Sequence, residues 1–85
     1  MSMDFLLEEE MIDILTYCLQ NPNSDDIDSK KSRLKEIGIE LFKDGGVDAM
    51  ENFFFVVENR IVGEIEKDPK PFRNLWNGIT DEWNY

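Results

Sequence analysis

Carboxylates crowd together at one place in this chain, the run Glu8, Glu9 and Glu10, with Asp13 just beyond. Glu9 and Asp13 are four residues apart, so a helix through them sets both on one face. Two acids in a shared site are the minimum equipment for general acid–base chemistry, provided one is driven to keep its proton near neutral pH. No companion for that chemistry is present. The chain has no histidine, which removes the commonest general base and zinc ligand. Its glycine pair, Gly45–Gly46, falls between two helical patterns and lacks the spacing of a phosphate-cradling loop. NPNSDDIDSKKS, aligned from Asn21 as a calcium loop, has Asp26 where glycine is required and Ser32 where the bidentate glutamate belongs. The expectation is a protein that is not an enzyme and holds no metal or cofactor.

The acids then read either as a solvated face or as a binding face. The net charge of −10 is uneven. Residues 1–28 carry eight acids and no base, whereas 29–43 carry five bases and two acids. An acidic chain repels the phosphate backbone, so no nucleic-acid partner is expected despite the run KKSRLK. A dense negative face instead steers association with a basic protein, and Glu9, Glu10, Asp13 and Tyr17 form the candidate contact patch. In size, acidity and helix count the chain is similar to colicin-nuclease immunity proteins. That resemblance implies an acidic inhibitor or DNA mimic, and without a shared motif it assigns no residue roles.

These side chains need elements to hold them. Residues 4–20 show Leu7, Met11, Ile14 and Cys18 at helical spacing, with Leu15, Leu19, Ile12 and Phe5 widening the apolar arc and Leu6 on the polar side. NPNSDDID is a loop, with Ser24 or Asp28 as N-cap for a second helix over 25–43. Gly38 lies on that helix's apolar face with Leu34, Ile37, Leu41 and Phe42 as the expected buried stripe, which predicts another helix backbone passing close. Asp26 with Lys30, and Glu40 with Lys43, are spaced for local ion pairs.

The stretch ENFFFVVENR has a strand's composition, but Met50, Phe53, Phe54, Val57, Ile61 and Ile65 continue one helical stripe through it. The spacing predicts a third helix over 47–66. Phe55 and Val62, seven apart, fall outside the core stripe and form a second, narrower one, while Val56 projects to the other flank. Pro71 opens a fourth predicted helix over 71–84, with Phe72, Leu75, Trp76, Ile79 and Trp83 on one face.

The whole, residues 1–85, reads as a single all-α domain, a compact bundle of about four helices. A lone cysteine and an acidic N-terminus point to the cytoplasm, and no segment is apolar enough for a membrane. The leading functional expectation is a non-enzymatic protein–protein interaction module, a homodimer joined through Phe55 and Val62 unless another helix of the same chain covers them. The alternative is an acidic, immunity-type inhibitor of a basic partner.

Overall fold

The helical periodicities build two long elements and one short one. A computed structural model describes residues 2–85, with side chains from Phe5 onward. Helix α1 spans Ser2–Gln20 and helix α2 spans Ile27–Ile65. A 3₁₀ helix follows over Lys70–Trp76. The described residues are all-helical, without a strand, and the expected count of four helices is not what forms.

The second and third predicted helices are one element, broken at a single residue. Gly46 has φ 72° and ψ −163°, a region that only glycine occupies without strain. A straight helix of 39 residues would be about 58 Å long. The longest dimension of the molecule is 31 Å, so α2 must turn sharply at Gly46. Its two arms, 27–45 and 47–65, then contribute to one core. Leu34, Ile37 and Leu41 come from the first arm, and Met50, Phe54, Val57 and Ile61 from the second. From α1, Met11, Ile14, Leu15 and Cys18 close that core as the spacing predicts. Two expected core residues instead lie exposed: Phe5 near the start of α1, and Phe42 one position past the buried Leu41 on the first arm of α2.

Local chemistry at the helix ends departs from expectation in instructive ways. Asp26, not Ser24 or Asp28, holds the N-cap position of α2, without a side-chain cap bond. The Ser24 hydroxyl is engaged elsewhere, 2.7 Å from the Tyr17 hydroxyl and accepting the Asp26 N–H at 3.2 Å. Lys30, expected to pair with Asp26, lies over the Tyr17 ring at 5.0 Å. At its other end α2 stops on Glu66, whose left-handed backbone (φ 56°) turns its N–H onto the Val62 carbonyl.

The last predicted helix, 71–84, is corrected. Only Lys70–Trp76 is helical, as a 3₁₀ turn, and a bridge between Asn77 and Thr80 follows. Gly78 takes φ 93°, which reverses the chain, and the Trp83 indole then donates back to the Arg73 carbonyl at 2.7 Å. Trp76 and Trp83 are nonetheless buried, as their spacing requires. Offsets of three and four residues suit a 3₁₀ turn plus a reversal as well as they suit an α-helix.

Trp76 docks this segment. Its indole N–H donates to the Leu34 carbonyl at 2.8 Å, and its ring lies against Gly38. A Cβ at Gly38 would come within 2.6 Å of the indole nitrogen. The close neighbour inferred for Gly38 is thus an indole rather than a helix backbone. Arg73 adds a second clasp: it lies over the Phe54 and Tyr85 rings at 5.0 Å and pairs with Glu58 and Glu51 at 3.3 and 3.4 Å. Tyr85 donates its hydroxyl proton to Glu51 at 2.8 Å.

Gly38→Ala should therefore destabilise the protein, although alanine improves helix propensity by about 1 kcal/mol. The rigid indole cannot yield in place, so overpacking of about 1–3 kcal/mol and a weakened hydrogen bond outweigh the gain. Urea unfolding followed by tryptophan fluorescence should show a net loss of about 1–2 kcal/mol. A variant as stable as the parent would contradict the Trp76–Gly38 contact.

Candidate functional site

Of the four residues of the candidate acidic patch, Glu10, Asp13 and Tyr17 line one groove, and Glu9 turns to a different neighbour. Glu9 and Glu10 diverge to the two arms of α2. Glu10 accepts a bidentate pair from Arg33, Nε at 2.6 Å and Nη2 at 2.9 Å. Glu9 accepts from Arg60 at 2.8 Å, with Glu8 3.5 Å from the same guanidinium. The hydrogen-bonded Arg33 guanidinium holds the Glu10 carboxyl below the usual carboxylate range and raises the arginine in turn. Tyr17 is occupied by Ser24, and by Asp26 at 3.3 Å. Asp13 is exposed and makes no ion pair among the described residues. Sequence reasoning pairs these acids with no base, and Arg33 and Arg60, one per arm, are the partners it misses. The available signal is the basic run over 29–43, which must pack against a helix with no base of its own.

Between α1 and the first arm of α2 these groups line an open polar groove. Asp13, Tyr17, Asp26, Ser29, Lys30 and Arg33 face it, with a volume of about 720 Å³. Glu10, which also lines it, is pinned as a carboxylate by Arg33, the opposite of what a general acid needs. Among the described residues, no group of three or more His, Cys, Asp or Glu side chains is placed to hold a metal ion. Burial pushes the Cys18 thiol up, which keeps it protonated and unreactive in the core. No described helix is long and apolar enough to cross a membrane.

The other candidate residues, Phe55 and Val62, stand in the open. Phe55 is 60% exposed and Val62 43%, so among the described residues no helix covers them. They belong to a wider face. Between residues 49 and 63 of α2 the exposed positions are Asn52, Phe55, Val56, Asn59, Val62 and Gly63. None is charged, in a chain that is one-third charged. The charged residues of the same stretch, Glu51, Glu58 and Arg60, are turned to the flanks and held in ion pairs with other elements. Past Val56 the face borders a groove whose apolar lining, Phe5, Leu41, Ala49 and Phe53, is flanked by the acids Glu8 and Asp44.

Phe55, Val62 and Val56 of this face stand out in the sequence, because they are apolar and off the core stripe. Asn52, Asn59 and Gly63 attract no attention as residue types. Their meaning lies in the missing charge, legible only once the buried stripe has been subtracted. Comparison of the chain with protein-family models, curated proteins and solved structures finds no match.

The Glu10–Arg33 pair sets an acid limit on stability. Glu10 has a depressed pKa in the folded protein, so its contribution is present above the ordinary carboxylate value of about 4.3 and is lost as pH falls through the lower folded value. Both side chains are more than a third exposed, so the contribution is screened to less than about 1 kcal/mol. Glu10→Gln should lower stability by that amount at pH 7. Denaturation from pH 7 down to pH 2 should show the difference between variant and parent closing as the acid limb is descended.

Proposed function

We propose that this chain is a small, acidic, non-enzymatic interaction module of the cytoplasm that pairs with a second copy of itself through the face carrying Phe55 and Val62. The uncharged exposed face of the second arm carries this reading. A solvated helix face on so acidic a protein ordinarily bears charge, and apolar residues left out of the core mark contact surfaces. A second copy presents the same uncharged face, so the pair forms without setting acid against acid where the helices touch. The face is about 18 Å long over its twelve residues, short of a standard interface, so the association is weak and concentration-dependent.

A second reading, an acidic inhibitor that binds a basic protein rather than nucleic acid, draws on the exposed Asp13 and Asp26 that line the polar groove. It has less support than expected from the sequence, because Glu9 and Glu10 are already neutralised within the chain. A partner would have to compete with Arg33 and Arg60 for them.

Light scattering on a sizing column, from micromolar to millimolar protein, tests the leading reading. The parent should move from a 10.0 kDa monomer toward twice that mass as concentration rises. Phe55→Asp with Val62→Asp should remain monomeric throughout with an unchanged far-ultraviolet circular dichroism spectrum, since both positions are exposed. A parent that is monomeric over the whole range rejects self-pairing.

A further inference from the structure

The uncharged face has an internal order that selects how two copies would meet. Counted from Asn59, Phe55 and Val56 lie four and three residues before it, and Val62 and Gly63 three and four after it. Residues 55–63 of the face are therefore palindromic in position, with the Asn59 carboxamide at the centre and one small or apolar side chain at each matching step; Asn52, seven before the centre, lies outside this set and is matched by Glu66, seven after it. An isologous contact needs such self-complementarity, since each residue i that meets j must also be met as j.

We infer that two copies pair antiparallel along the second arms of α2, with the twofold axis passing through Asn59. This rests on the reading that the face binds a second copy. In that arrangement Phe55 of each chain meets Val62 of the other along one flank, and Val56 meets Gly63 along the other. The pairing balances volume, a ring against a small aliphatic side chain and a valine against a glycine. Gly63 has open space where a Cβ would stand, which leaves room for the valine and a close helix approach. Parallel pairing would instead put Phe55 level with Phe55 and Gly63 level with Gly63, crowding one end of the contact and leaving the other empty.

Asn59 fits the axis because a carboxamide both donates and accepts. Two copies related by a twofold satisfy each other, whereas an apolar partner would leave the amide unsatisfied at the centre of the contact. A polar asparagine within an apolar helix seam is the device by which paired helices specify register. The flanks tolerate this orientation. Antiparallel helices bring like flank to like flank, and Glu51 and Glu58 arrive already paired with Arg73, as Arg60 does with Glu8 and Glu9.

Single-cysteine variants of the full chain test the geometry under mild oxidation, with the native Cys18 buried and out of reach. Asn59→Cys, at an exposed position, should link to itself and double the mass on a non-reducing gel. Phe55→Cys alone should stay at the single-chain mass, because the two copies of residue 55 would be about eight residues, roughly 12 Å, apart along the axis. That exceeds the roughly 7 Å that a disulfide spans between Cα atoms. Phe55→Cys mixed with Val62→Cys should link. Self-linking of Phe55→Cys would overturn the antiparallel arrangement in favour of a parallel one. A parent that dimerises while Asn59→Cys fails to link would overturn the axis and leave self-pairing standing. A parent that is monomeric up to millimolar concentration would overturn both.

Discussion

The contact of Trp76 with the backbone at Gly38 holds the C-terminal segment of this protein to the rest. Residues 66–85 contain no α-helix, and their backbone hydrogen bonds to one another are local turns that do not tie the segment to α2. They stay because a flat indole fits where a helix has no side chain, and its N–H finds the Leu34 carbonyl. Once Trp76 is seated, Trp83 packs against it with ring centres 5.1 Å apart, and Phe54 meets its edge at 5.5 Å. That aromatic cluster completes the core which both arms of α2 need. In a chain of 85 residues, where burial is only a modest surplus over chain entropy, such a docked segment decides whether the core closes.

Charge is managed by the same economy of position. Three arginines each draw together acids from a different part of the chain: Arg33 joins α1 to the first arm, Arg60 joins α1 to the second, and Arg73 joins the C-terminal segment to the second. Each guanidinium takes more than one carboxylate, so acids crowded in sequence are separated into neutralised groups in space. Between residues 49 and 63 the outer face of the second arm carries no exposed charge, since Glu51, Glu58 and Arg60 are drawn to these flanks; exposed Asp48 and Glu64 lie just beyond that stretch.

The burial pattern was legible in the sequence almost residue by residue, since Met11, Ile14, Cys18, Leu34, Ile37, Leu41, Met50, Phe54, Val57 and Ile61 follow plain helical spacing and are all buried. The backbone was less legible. At 71–84 the same offsets fit a 3₁₀ turn and a reversal, and periodicity holds no information that separates the two. At Gly45–Gly46 a glycine pair announces a break but not its length, which proves to be one residue. The ion pairing of the acidic patch was not legible for a different reason. Glu9 and Glu10 are adjacent, and on a helix adjacent residues point about 100° apart, toward different neighbours that only the fold supplies. Phe55 and Val62 were legible as surplus, while the asparagines and glycine around them gained meaning only from the exposed face they share.

The one-residue break at Gly46 limits how this fold can vary. Most helix–helix junctions have a loop that absorbs an added or lost residue without disturbing the next helix. Here the two arms abut, and each residue inserted at the junction would turn the second arm by about 100° about its own axis. One insertion would swing Phe54 and Val57 out of the core and carry the outer face inward. The length of chain at the elbow therefore acts as an indexing pin, setting which side of the second arm is core and which side is presented to the outside.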